Sequence, residues 1–305
     1  MNQYPSFRKT NMFQKKHYFL LFICLSFIFN SCKDNLSNNS VDFTKEFEFT
    51  KGIEGPATDS NGFIYAVNFK EEGTIGKVDK NGNTSLYLKL PNGSIGNGIR
   101  FNKEGTMYIA DYTNHAILQL KKGAYSATIY ASDSTMNQPN DLAIAPNGIL
   151  YASDPNWSKG TGNLWMSKNN QLILLEKDMG TTNGIEVSPD GKILYVNESV
   201  QRKIWKYDIL KGGTISNKQE FTSFSDYGLD GMRCDKKGNL YVCRYDKGTV
   251  AIFSPRGKLI REIQLKGKKP TNITFGGRDN KQCFVTLADR GCFETFEAEN
   301  TGRRF

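Results

Sequence analysis

Apolar and polar residues alternate over short runs, and the alternation returns about every forty-three residues. The clearest alternating pairs are Ile99/Phe101, Leu142/Ile144, Ile185/Val187 and Met232/Cys234. Each such run is followed by a tight turn closing on glycine: Ser60-Asn61-Gly62, Lys103-Glu104-Gly105, Pro146-Asn147-Gly148, Pro189-Asp190-Gly191 and Lys236-Lys237-Gly238. A β-rich run with a tyrosine comes next, at Tyr65, Tyr108, Tyr151, Tyr195 and Tyr241. The turn glycines are 43, 43, 43 and 47 residues apart. Period-two alternation around glycine turns predicts hairpins. A repeat of this length, with a third strand in most copies (Ala116–Leu120, Asn163–Met166, Lys203–Tyr207, Thr249–Phe253), predicts propeller blades.

A sixth, degenerate copy runs from Thr271 to Phe275, turns at Arg278-Asp279-Asn280 and continues through Cys283–Thr286. The expected fold is therefore all-β: a six-bladed β-propeller over residues 46–305 with a metal-binding central channel. The segment Glu46–Thr50 is expected to complete the last blade and close the ring. No heptads and no long amphipathic helix interrupt the pattern.

The first 31 residues stand outside it. Arg8, Lys9, Lys15 and Lys16 precede a mostly apolar run from Tyr18 to Phe29, too short to span a bilayer. This reads as a lipoprotein signal peptide, with Cys32 after Ser31 as the acylated residue. An ordinary signal peptide cleaved nearby is the alternative. Residues 32–45 are expected to form a flexible tether. The expected location is exported and membrane-anchored, in the periplasm or at the cell surface, with the membrane engaged through the N-terminal lipid.

Removing residues 1–31, which hold four basic and no acidic residues, lowers the formal charge from +9 to +5. No basic run is interleaved with aromatics, so no nucleic acid is expected as a partner. A monomer is expected. Cys234, Cys243, Cys283 and Cys292 remain, and hairpin counting does not set Cys234 opposite Cys243, so buried thiols compete with bridges. The absence of C-x-x-C disfavours a zinc or redox site of that kind.

The repeat carries an oxygen donor at one register: Glu54, Asn97, Asn140, Asn183 and Asp230, with Thr271 offering only a hydroxyl in the sixth copy. Equivalent positions lie at equivalent distances from a propeller axis, so these side chains are expected to converge. Two carboxylates with neutral amides suit Ca²⁺ or another divalent cation that prefers oxygen. Two histidines in the chain, His17 and His115, give little material for zinc or for a Ser-His-Asp triad. Asn97-Gly98 and Asn183-Gly184 also read as simple turns, but a turn does not explain Glu54 and Asp230 at the same register.

With these motifs in order, the chain resembles the gluconolactonase, regucalcin and luciferin-regenerating-enzyme (SMP-30-like) family of six-bladed propellers with one channel Ca²⁺. The matching segments are Glu54-Gly55-Pro56, Pro139-Asn140-Asp141, Asn183-Gly184-Ile185, Asp230-Gly231-Met232 and Pro270-Thr271 with Phe275-Gly276-Gly277. The resemblance implies metal ligation by Glu54, Asn183 and Asp230, with Asn140 either joining them or holding substrate. It implies a Ca²⁺-dependent hydrolase of lactones or similar small cyclic esters, with Asp230 as general base or nucleophile. Asn97 is expected to help bind substrate, and Asp154-Pro155-Asn156-Trp157, read as a loop, to shape the pocket. Gln138 stands where sugar-lactone hydrolases often carry arginine; it can hydrogen-bond but has no charged fork, which puts an aldonolactone substrate in question. The competing expectations are a non-catalytic exported propeller that binds a ligand or protein around a structural calcium, and a phosphotriesterase-like hydrolase.

Overall fold

The computed structural model describes residues 36–303; the signal segment and Cys32 lie outside the described residues. Within them, twenty-four strands form six four-stranded antiparallel sheets. The first strand of each sheet lines the channel: Phe49–Thr58, Gly96–Phe101, Leu142–Ile144, Thr182–Val187, Met232–Cys234 and Pro270–Gly276. These inner strands are neighbours in cyclic order, the sixth returning to the first. The six-bladed β-propeller expected from the repeat is the observed fold. Inner strands are almost wholly buried, whereas outer strands such as Gln171–Met179 alternate toward solvent.

Each of the five turn glycines has a positive φ, from 73° at Gly191 to 85° at Gly148, which an L side chain adopts only with strain. In the degenerate sixth blade Asn280 fills that place at φ 60°. Asparagine is one of the few residues that tolerates this conformation. The recurrent tyrosine packs toward the next blade: Tyr65 lies 5.3 Å from Phe101, and Tyr241 lies 5.0 Å from Phe275. Buried apolar clusters fill the interfaces between successive blades, so the core is a ring of seams rather than one central mass.

Ring closure departs from expectation. The fourth strand of the sixth blade is Val41–Asp42, pairing with Thr295 and Glu294, and not Glu46–Thr50. Phe49 already belongs to the inner strand of the first blade, so only residues further upstream can reach the open edge. Glu294 secures them: its buried carboxylate accepts from Ser40 Oγ (2.5 Å) and from the amides of Lys266 and Gly267 (2.9 Å each). Arg290 ties Asp42, Glu46 and Glu294 together. Of the stretch expected as a tether, the described part from Leu36 is thus built into the blade, with Arg261 holding Ser37 and Asn38.

All four described cysteines are buried and unbridged. Cys234 faces Leu240 across its hairpin, and Cys283 is flanked by Phe275 and Phe296, so the register offers no pairing.

Candidate metal centre and active site

The ring residues sit where the ladder between inner and second strands is interrupted. Register shifts fall at Glu54, between Gly96 and Ile99, between Thr182 and Ile185, and between Pro270 and Asn272. In the third and fifth blades the regular inner strand begins only after the ring residue. There the Asn140 amide donates to Ser153 O (2.9 Å), and the Asp230 amide to Cys243 O (3.0 Å). An interruption of this kind re-aims a side chain out of the regular pattern of the sheet.

The Asn-Gly pairs are not turns. Asn97-Gly98 and Asn183-Gly184 lie within strands, without positive φ at the glycine. Their glycines serve close approach of the next blade. A Cβ on Gly184 would lie 2.3 Å from Asp230 O, and one on Gly231 would fall 2.0 Å from Asn272 Oδ1. Gly55 combines both needs, with φ 60° and a Cβ position 2.1 Å from Asn97 O. Hydrogen bonds between blades complete the collar: the Gly98 amide donates to Asn140 O and the Gly231 amide to Thr271 O, both at 2.7 Å. Gly231→Ala is therefore expected to destabilise the fold by about 2–4 kcal/mol, lowering the thermal midpoint by roughly 10 °C. An unchanged midpoint by calorimetry would mean that the collar relaxes freely.

Glu54, Asn140 and Asn183 are buried, whereas Asp230 keeps some exposure. Glu54 accepts from the Gly55 amide and from Asn272 Nδ2 (3.0 Å). Asn183 hydrogen-bonds the Asp230 carboxylate, and Asn197 Nδ2 donates to Asp230 O at 2.6 Å. Burial and the Asp141 carboxylate push Glu54 up to about 7. Burial, and then the charge of Glu54, hold Asp230 well above the usual carboxylate range. The two buried guanidiniums of the channel, Arg100 and Arg233, are turned to Asp141 instead, at 3.1 and 3.6 Å. Two acids that repel each other thus have no ion pair among the described residues. Asn140 Oδ1 and Asn183 Oδ1 are buried without any hydrogen-bond donor.

These are the features a hard divalent cation would relieve: carboxylate charge without compensation, and amide oxygens with free lone pairs. Two carboxylates and two amide oxygens make a mixed donor set, which suits calcium better than zinc; among the described residues no group of three or more His, Cys, Asp or Glu side chains is placed to hold a metal ion.

The other expected residues divide. Asn97 is half-buried and donates through Nδ2 to Asn140 O (3.0 Å), spending that donor on the collar. Thr271 Oγ1 donates to Ile53 O (2.9 Å) and meets Thr286 Oγ1 at 2.7 Å, so it closes the ring and offers nothing to the axis. Gln138 is half-buried and lines a cavity of about 510 Å³ with Tyr112, His115, Asn137, Asn156 and Trp157. Asp154-Pro155-Asn156 is strand rather than loop, and only Trp157 enters the turn. Asp154 is fully buried, accepting from the amides of Asn137 and Gln138 (2.7 Å each) and from Trp165 Nε1 (2.9 Å). It therefore positions the Gln138 segment rather than facing a ligand.

Asn272, which holds Glu54, escaped the sequence reading. Its signal was present: the residue after each ring position is glycine in four blades, and the two exceptions, Asp141 and Asn272, are both polar. Both act on the ring, Asp141 by its charge and Asn272 by its amide.

Comparison with known proteins places the chain in a family. The family model described as SMP-30/Gluconolactonase/LRE-like region matches residues 53–289. A gluconolactonase of Zymomonas mobilis is 26% identical over 271 residues, covering 77% of this chain and 76% of its own. A diisopropyl-fluorophosphatase of Loligo vulgaris is 27% identical over 296 residues, covering 86% and 94%. Among solved structures, a calcium-binding protein, regucalcin, of Agrobacterium tumefaciens superposes with a TM-score of 0.73 at 19% identity, covering 88% and 98%. That last likeness speaks for the fold alone.

Proposed function

Because the chain belongs to the SMP-30/gluconolactonase/LRE-like family, we propose that it is a Ca²⁺-dependent hydrolase of lactones or similar small cyclic esters. The observation that carries this reading is the pairing of two mutually repelling acids, the buried Glu54 and the partly exposed Asp230, with the donor-less Oδ1 atoms of Asn140 and Asn183. Glu54, Asn140, Asn183 and Asp230 would hold the cation. When bound, Ca²⁺ supplies a Lewis acid for the ester carbonyl and for the charge that develops on its oxygen.

The rest of the chemistry falls to the chain. Asp230, the most accessible of the four, takes a proton from water as general base or attacks the carbonyl itself. Asn183, hydrogen-bonded to Asp230, fixes the carboxylate's orientation. Gln138, held by Asp154, presents a neutral amide to substrate hydroxyl or ring oxygens, and Asn97, whose Nδ2 is engaged by Asn140 O, presents its amide oxygen to a hydroxyl. Neutral contacts favour an uncharged lactone over an acidic one. The proposal extends to export and to a lipid anchor at Cys32, both resting on sequence alone.

Turnover of a panel of sugar and aliphatic lactones, with Ca²⁺ and with chelator, tests the reading. Calcium-dependent hydrolysis is expected. The Loligo vulgaris relative motivates an organophosphate arm in the same panel, since it is a diisopropyl-fluorophosphatase and its alignment spans most of both chains. Hydrolysis of the organophosphate without any lactone would transfer the assignment to phosphotriesters. A calcium-raised melting temperature with no turnover of either class would leave a binding propeller braced by its metal.

A further inference from the structure

A cavity lies at the face of the inner hairpin turns, away from Gln138. It encloses about 800 Å³, large enough for a small metabolite. Six basic side chains line it, Lys80, Arg100, Lys103, Arg233, Arg278 and Arg303, against two acidic ones, Asp59 and Glu186. Both acids are already engaged. Asp59 accepts from the amides of Asn61 (2.9 Å) and Phe63 (3.0 Å) and from Tyr65 Oη (3.1 Å). Glu186 is held by Arg303 at 2.8 Å and by the Val187 amide at 2.8 Å.

The deep cations are under-compensated. Arg100 and Arg233, both buried, share the single carboxylate of Asp141, and Arg100 Nε has no hydrogen-bond partner. Burial, and then the proximity of Arg100, lower Arg233 to about 10 against the opposing pull of Asp141, Glu186 and Glu54. At the rim, Lys80, Lys103 and Arg278 are exposed, and none of them forms an ion pair among the described residues. A concave, low-dielectric wall focuses such a field and concentrates anions within it.

We infer that this basin is a second ligand site, taking a small metabolite through a phosphate or carboxylate group seated between the rim cations and the buried guanidiniums. Guanidinium groups match both oxyanions with paired hydrogen bonds. The inference is independent of the hydrolase reading, since none of the ring residues lines this cavity.

Titration calorimetry on the full chain, without added calcium, decides it, with inorganic phosphate and succinate as separate probes at fixed ionic strength. Saturable binding of at least one probe is expected, weakening as sodium chloride is raised because the rim charges are screened. Phosphate alone or succinate alone identifies which oxyanion the basin prefers. In the double variant Lys103→Ala/Arg278→Ala, confined to exposed side chains, affinity should fall by about tenfold or more. No saturable heat with either probe overturns the proposal, and so does an affinity unchanged in the double variant.

Discussion

Replacing Asp230 with asparagine is expected to lower lactone turnover by about 10³-fold or more while leaving the metal-free protein at least as stable as the parent. Both halves follow from the same environment. The amide keeps the shape of the carboxylate and can still meet Asn183, but it accepts no proton and is no nucleophile. In the parent, burial and Glu54 make the ionised form of Asp230 costly, so removing that charge relieves repulsion without breaking an ion pair. The calcium-induced rise in melting temperature should shrink at the same time, because one of two charged donors is gone. Rate measurements and chemical denaturation in chelator check these outcomes together. Turnover at the parental rate would remove Asp230 from the reaction. A metal-free variant less stable by more than about 1 kcal/mol would assign the lost rate to misfolding instead.

The blades were legible in the chain because each turn glycine reports a positive φ that few residues tolerate, and five of them recur at nearly one spacing. The shared register of Glu54, Asn140, Asn183 and Asp230 was legible for the same reason, since a propeller repeats its radial positions, and the structure brings Glu54 and Asn183 to Asp230. What the pattern misstated was local. Asn97-Gly98 and Asn183-Gly184 resemble turns in one dimension, whereas their glycines answer to backbone arriving from the neighbouring blade. Val41–Asp42 is too short and too polar to advertise itself as a strand; its place is set by Arg290 and Glu294, some 250 residues away in the chain. The layer beneath the ring was invisible for a related reason. Arg100, Asp141 and Arg233 look like solvated charges along the chain, and only the closed fold buries them against one another.

That layer also shapes the last expected result, a pH dependence that reverses when the cation is present. Glu54 rises from an ordinary 4.5 to about 7 in the folded chain, through burial and the Asp141 charge. A carboxyl whose folded pKa exceeds its unfolded one binds its proton more tightly in the native state. Its contribution to stability is therefore full below about pH 4.5 and is lost as the pH rises through about 7. The shift corresponds to about 3 kcal/mol at most between these limits. Subtracting Glu54→Gln from the parent isolates it, because glutamine keeps an acceptor for Asn272 Nδ2 but has no proton to lose. In chelator, the parent is expected to lose stability relative to the glutamine variant between pH 5 and 8. With calcium the order inverts: the cation competes with the proton for the same oxygens, so its stabilisation of the parent grows over the interval in which the metal-free protein weakens. The glutamine variant, with one charged donor fewer, should show much weaker calcium binding and little change of it with pH. Denaturation midpoints at four or five pH values, with calcium and with chelator, read all of this directly. Equal pH profiles for the two proteins would show that Glu54 is ionised without help, and the two ring acids would then not be sharing one site.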